Sequence, residues 1–195
     1  MRTLLFVILS IFSLMLSAQN DSLPTTRMNG TGIVAWQYDN FLKKDTVIID
    51  TAVNDFQIYN PVYRKNFLIT GTTGNLASPS YNLFLSPPEK SSFFNASFYN
   101  YLTDNRAVRF YNTKNFYTNI FYFTNGSKNI NLQSISVLHT QNIKPFWNFA
   151  IDYRLYASNG IYANQKSKFA SFVFSSTYEG HRYKSFFIIK NQQFK

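Results

Sequence analysis

The chain contains no cysteine, few charged residues and only one long apolar run. Without cysteine it forms no disulfide, which excludes it from the small secreted proteins held by disulfide frameworks. Charged residues make up only 14 % of the 195 residues. After residue 18 the densest apolar run is FFII at 186–189, far shorter than the roughly 20 residues that a membrane-spanning helix needs. The mature chain is therefore predicted to lack a transmembrane helix and to be held by packing or by closed strand pairing.

Catalytic motifs are also missing. The two histidines, His139 and His181, lie in or beside different strand segments, and the sequence has no HExxH motif and no glycine-rich phosphate loop. Asp45, Asp50 and Asp55 recur at intervals of five, which puts neighbouring carboxylates on opposite faces of an extended chain and argues against a calcium site. We therefore predict no enzyme activity, no catalytic residue, no metal site and no cofactor.

The first 18 residues, MRTLLFVILSIFSLMLSA, have the layout of a secretory signal peptide. Arg2 supplies the positive charge, and an uncharged apolar run extends from Leu4 to Leu16. We predict export with cleavage after Ala18, although Leu16 is a poor match to the small residue expected at the third position back. An uncleaved anchor is the alternative, but the run is too short to span a bilayer comfortably.

Positive charge is in surplus. The formal net charge is +10, and loss of Arg2 with the signal peptide leaves +9. Because the lysines are scattered and an exported chain meets little nucleic acid, we predict no nucleic-acid partner. The surplus fits solvated loops and turns, or a basic lumen or rim.

Aromatic residues are abundant, at 19 % of the chain, and such residues favour strands. The predicted organisation is a signal peptide at 1–18, a flexible N-terminal segment at 19–35, a β-rich region at 36–88 and barrel strands at 89–195. Six apolar segments with polar connectors predict antiparallel strands at 93–102, 116–123, 130–141, 147–157, 169–178 and 183–191. Phe and Tyr crowd the ends of these segments, as in the aromatic girdles of outer-membrane barrels.

The segment WNFAIDYRLYA at 147–157 alternates most regularly. Its odd positions are apolar, namely Trp147, Phe149, Ile151, Tyr153 and Leu155. Its even positions include the polar residues Asn148, Asp152 and Arg154. The odd face is either the dry core of a soluble sandwich or the lipid-facing side of a barrel whose even face lines a wet lumen.

Two further segments show the same alternation with different regularity. At 169–178, Phe172 and Phe174 alternate with serines, which predicts that both aromatic residues share the lipid-facing side. At 130–141 the apolar positions change from even to odd, and a β-bulge near Gln133 and Ser134 would restore the register. A mistaken strand assignment is the alternative there.

Several runs in the same order resemble the putative porin family of Bacteroidetes outer membranes. These runs are GTTGNLASPS at 71–80, FYNTKNFYTNIFYFTNGSKN at 110–129, HTQNI at 139–143 and SNGIYANQKSKF at 158–169. The resemblance covers most of the chain after Trp36 and implies an all-β, antiparallel transmembrane β-barrel. About eight strands close such a barrel, and only about six good ones are visible here. We therefore expect an N-terminal portion or a truncated copy, in which 36–88 adds strands or an edge stays open.

The resulting prediction is an outer-membrane porin that allows passive diffusion of small hydrophilic solutes. Its lumen is predicted to be lined by Asn148, Asp152 and Arg154, and its partners are outer-membrane lipid and those solutes. An oligomer is compatible with this interpretation. The alternative is a soluble secreted β-sandwich that binds glycans by stacking sugars on exposed aromatic residues. Detergent dependence separates the two, because only the barrel exposes its odd residues to lipid.

Overall fold

A computed structural model describes residues 32–39, 43–47, 49, 57–58, 60–66, 70–84, 93–126, 131–160 and 165–195. The predicted signal peptide at 1–18 lies outside these residues, as do residues 19–31 of the segment predicted to be flexible. No helix in the described part of the chain is long and apolar enough to cross a bilayer.

The described chain is all-β and antiparallel, with very little helix. The strands are β1 (Ile33–Asp39), β2 (Lys43–Val47), β3 (Thr70–Thr72), β4 (Ser80–Asn82), β5 (Phe110–Thr113), β6 (Tyr117–Thr124), β7 (Leu132–Lys144), β8 (Trp147–Ser158), β9 (Ser167–Glu179) and β10 (Lys184–Phe194). A short helix α1 (Pro61–Asn66) precedes β3, and a 3-10 helix spans Phe93–Phe98.

Five long strands form one sheet, in the order β10-β9-β8-β7-β6, which we name the wall. Two residues join β7 to β8 and four join β9 to β10, whereas longer stretches of sequence separate β6 from β7 and β8 from β9. Five of the six predicted segments are confirmed as these strands. In the described residues, β6 and β10 each have one side without a strand partner, so the wall does not close into a barrel.

A second sheet, in the order β2-β1-β5, covers one face of the wall. We name the described residues between Gly32 and Thr113, which include this sheet and the β3–β4 hairpin, the inner segment. Ile33, Ala35 and Tyr111 pack against Ala150 of β8, whereas Trp36 and Phe110 on the opposite face pack against β9 and β10. Both faces of the small sheet therefore contact the wall.

A third apolar cluster lies where β8 ends and β9 begins. Tyr156 and Phe169 are stacked with ring centroids 5.8 Å apart, and Tyr101 of the inner segment packs on both. Phe194 of β10 lies 4.5 Å from both Phe169 and Phe98 by ring centroids. This cluster joins the inner segment to the end of the wall that carries the longer connections.

The strand predicted at 93–102 is wrong, because the chain forms the 3-10 helix and a turn there. Phe98 and Tyr101 are three residues apart, which places them on one side of a helix with three residues per turn. Both contact Phe194, and the amide of Tyr101 donates a hydrogen bond of 3.0 Å to the carbonyl of Phe98. Packing of these aromatic rings against the wall overrides the strand propensity of the segment.

The bulge predicted near Gln133 and Ser134 is also wrong. β7 pairs with β8 in continuous register from Leu132 to Asn142, and the irregularity lies between Asn142 and Lys144. Leu132 is apolar on the inner face because it packs against the cluster around Tyr156. The apolar positions of β7 change from even to odd because both of its faces make apolar contacts, and not because the strand contains an extra residue.

Two boundaries differ from the predicted organisation. β1 begins at Ile33, inside the segment predicted to be flexible. β5, inside the region predicted to hold barrel strands, pairs with β1 rather than with the wall.

Candidate functional site

The two faces of β8 have opposite character, as its alternation predicts. Trp147 and Tyr153 on the odd face are 40 % and 37 % exposed despite their large apolar rings. Phe149, Ile151 and Leu155 on the same face are half-buried. On the even face, by contrast, Asn148 and Ala150 are buried, with exposures of 5 % and 3 %. The side with the large apolar residues therefore points outwards, and we name it the outer face.

The outer face continues across all five wall strands. Phe172 of β9 pairs with Tyr153 and is 40 % exposed, and the half-buried Phe174 pairs with Ile151. Other large apolar residues exposed on this face are Ile120, Tyr122, Phe187 and Ile189. An apolar surface that extends over a whole sheet is typical of contact with lipid or with another protein.

Charged residues are confined to the two ends of the outer face. Lys144 is the cross-strand partner of Trp147, and Lys168 is the partner of Ala157. No other outer-face position of the described wall carries Asp, Glu, Lys or Arg. Trp147 and Ala157, the partners of these two lysines, are ten residues apart along β8. This spacing corresponds to about 25 Å across a membrane at the usual rise per residue and a strand tilt of about 40°. This equals the height of the apolar band on an outer-membrane barrel.

Aromatic side chains cluster at the end of the wall where β7 turns into β8. The rings of Phe146 and Tyr178 meet edge to face, with centroids 5.3 Å apart. Lys144 Nζ lies 5.9 Å from the centroid of Phe146, and the indole of Trp147 donates a hydrogen bond of 3.1 Å to Ser176 Oγ. Amphipathic rings beside a cation are suited to the boundary between lipid and water.

The inner face of the wall carries many buried polar residues between the apolar clusters that meet the inner segment. Its buried polar residues are Ser134, Thr140, Asn142, Asn148, Ser158, Ser171, Ser175 and Thr177, which we name the polar stripe. The buried apolar residues of the wall are Ala150, Tyr156, Phe169 and Val173. Polar residues therefore outnumber apolar ones two to one among the buried residues of the wall, the reverse of a soluble core.

Asp152 and Arg154 form a two-pronged ion pair on the inner face. Arg154 Nε donates to Asp152 Oδ1 at 3.0 Å, and Arg154 Nη2 also bonds to Asp152 Oδ2. Their side chains are 22 % and 27 % exposed. Burial raises the pKa of the nearby phenol of Tyr111 to about 12, so this neighbour stays neutral at physiological pH. The pair is the only ion pair formed within the wall among the described residues.

Asn148 lies on the same face but belongs to a buried hydrogen-bond network. Its Nδ2 donates to Asn142 Oδ1 at 2.6 Å, and the Thr140 hydroxyl lies 3.2 Å from its Oδ1. Asn142 also accepts a hydrogen bond of 3.2 Å from the amide of Thr113 and donates one of 2.8 Å to Asn112 Oδ1. The structure therefore places Asn148 beneath β5 and apart from the Asp152–Arg154 pair.

Sequence reasoning missed the inner segment as a cover for the wall. One signal was present: Ile33, Val34, Ala35 and Trp36 form an unbroken apolar run, which is typical of a strand buried on both faces. The polar links to the wall leave no such signal, because they join residues far apart in sequence. Examples are Ser175 Oγ to the carbonyl of Arg109 at 3.2 Å and the ion pair of Lys44 with Glu179.

The two histidines are not brought together. His139 lies on the outer face of β7, where its Nδ1 is 2.7 Å from Thr118 Oγ1, and His181 lies in the β9–β10 turn. Of the aspartate series, Asp45 is exposed in β2, whereas Asp50 and Asp55 lie outside the described residues. Within the described ranges, no group of three or more acidic, histidine or cysteine residues is arranged to hold a metal ion.

Comparison with known proteins agrees with this two-faced wall. A family described as Putative porin matches residues 32–195, which is most of the chain. No curated protein and no solved structure gives a significant match. The family match indicates a non-enzymatic, porin-like role and an outer-membrane location. The chain therefore belongs to the Putative porin family.

Proposed function

We propose that the protein is a porin whose wall meets outer-membrane lipid with its outer face and borders a route for small hydrophilic solutes with its inner face. Passive diffusion needs polar groups along the route and no bound cofactor. The observation that carries the proposal is the inverted wall, which is apolar where it is exposed and rich in polar side chains where it is buried. An antiparallel sheet in water has the opposite arrangement, because it packs its apolar face on a core.

This observation also disfavours the soluble sandwich. A sandwich would bury the odd face of β8 beneath a second sheet. Instead, the second sheet of the described chain covers the even face, and Trp147 and Tyr153 on the odd face remain exposed. The exposed aromatic residues thus form part of a continuous apolar surface, rather than isolated platforms for sugar stacking.

The Asp152–Arg154 pair is the proposed determinant of ion preference. Fixed charges beside confined water shape the local potential and therefore the relative permeability of anions and cations. Arg154 lies between Ser136 and Ser171 on the neighbouring strands, so its guanidinium group has polar residues on both sides along the inner face.

Replacing Arg154 with Glu tests this role. We expect the full-length protein in planar bilayers to show a reversal potential, under a salt gradient, shifted towards cation preference. Arg154→Gln should shift it in the same direction by less and avoids placing two carboxylates side by side. Lys168→Glu is the matched control, since it makes the same charge change on the outer face at the edge of the wall. If Arg154→Glu and Lys168→Glu give equal shifts, the inner-face route is refuted.

A further inference from the structure

The interface between the inner segment and the wall is unusually easy to hydrate. The wall contributes the polar stripe to it, and these side chains hydrogen-bond as readily to water as to protein. A permanently closed core is ordinarily apolar, because each buried polar group must find a partner. The composition of the stripe therefore suits a surface that meets water for part of the time.

The inner segment is held to the wall by side chains. In the described residues, no β-ladder joins the two sheets. Their polar links are single contacts such as those of Asn142 with β5, and of Lys190 Nζ with the carbonyl of Thr103 at 2.9 Å and with Asn105 Oδ1 at 2.8 Å. Separation would therefore break side-chain hydrogen bonds and the contacts of three apolar clusters, while each sheet keeps its own main-chain bonds.

Some polar groups at this interface lack hydrogen bonds, and the packing at one end leaves a small space. Thr113 is completely buried in β5, yet its hydroxyl has no hydrogen-bond partner among the described residues. The buried hydroxyl of Thr103 likewise has none there. A shallow cleft of about 20 Å³ opens to solvent where the two layers meet near the β7–β8 turn, lined on one side by Tyr111 and Asn112 and on the other by Asn142 and Thr177. This volume accommodates about one water molecule, so water reaches the polar stripe at that end of the interface.

We propose that the solute route of this porin runs along the polar stripe and that the inner segment closes it as a displaceable plug. The inference rests on the proposed function and adds the location of the route and the element that blocks it. The ligands are water and small hydrophilic solutes that hydrogen-bond to hydroxyl and amide groups. The apolar clusters on both faces of the β2-β1-β5 sheet keep the plug seated, so the closed arrangement predominates.

The test uses the absence of native cysteine. Cysteines introduced at Thr113 and Asn142 lie close together across the interface, because the Thr113 amide donates to the Asn142 side chain. A short bifunctional methanethiosulfonate can bridge them, and dithiothreitol cleaves the bridge. The matched control places cysteines at Val137 and Tyr153, which are partners on the outer face, where a bridge ties the wall only to itself.

We expect the unbridged Thr113→Cys/Asn142→Cys protein to conduct more than wild type in planar bilayers, because two links to the plug are lost. Bridging should remove most of the conductance, and reduction should restore it, whereas bridging the control pair should leave conductance unchanged. Conductance that survives bridging, or cysteines that never react because the interface never opens, would overturn the plug.

Two further readouts separate the possible failures. If wild-type protein forms no channels, the proposed function itself fails. If the double variant does not fold, Asn142→Ser alone gives the test, because it removes the side-chain amide that bonds Asn112 and Thr113 of the plug but keeps a hydroxyl. This variant should raise the open fraction above that of wild type, and an unchanged open fraction would contradict the plug.

Discussion

Replacing Ile151 with Arg tests whether the outer face of the wall lies in lipid. Ile151 is flanked by His139 on β7 and Phe174 on β9, and all three side chains point outwards. It is four residues from Trp147, which places it about 10 Å below the level of that ring at a strand tilt of about 40°. Since the band is about 25 Å tall, Ile151 lies about 3 Å from its middle.

An arginine near the middle of the band should lower the free energy of unfolding by about 2–4 kcal/mol, whereas one near the boundary should lower it by at most about 1 kcal/mol. Ala157→Arg is the matched control, because it introduces the same residue on the same face at the level of the native Lys168. Both variants should be unfolded with urea from lipid vesicles, with folding followed by gel mobility before and after heating. If the two arginines destabilise the protein equally, depth in a bilayer does not explain the outer face.

Two other predictions concern export and the apolar cluster at the far end of the wall. Mass spectrometry of the mature protein should find Gln19 as the first residue, and an intact Met1 in the membrane fraction would contradict the signal-peptide prediction. Phe169→Ala should lower the free energy of unfolding by about 3–5 kcal/mol, because it opens a cavity among three aromatic rings. Phe172→Ala, on the outer face of the same strand, should lower the free energy of unfolding clearly less, as measured by urea titration. Equal losses of stability would show that the two faces of β9 are packed to the same extent.

The sequence predicted most of the wall because its information there is local. The alternation from Trp147 to Leu155 sets which side chains share a face, and the structure confirms that division. Period-two patterns cannot say what covers each face, however. The contact of Thr113 with Asn142 joins residues 29 apart, and the link of Lys190 to Thr103 joins residues 87 apart.

The two wrong predictions have the same origin. Phe98 and Tyr101 belong to a 3-10 helix and turn because they pack on Phe194, nearly one hundred residues away along the chain. Leu132 breaks the alternation of β7 because an apolar cluster meets the inner face there. In both cases tertiary packing overrides a local pattern, which a single sequence does not reveal.

A cysteine scan along β8 tests the central claim, the inverted wall, most directly. Single cysteines at positions 147–158 of the cysteine-free chain would carry an environment-sensitive fluorophore in vesicles that contain brominated lipid. We predict strong quenching at the odd positions from Phe149 to Leu155 and weak quenching at the even positions between them. Quenching that is strong at the even positions and weak at the odd ones, or that shows no alternation, would contradict a wall that is apolar outside and polar inside.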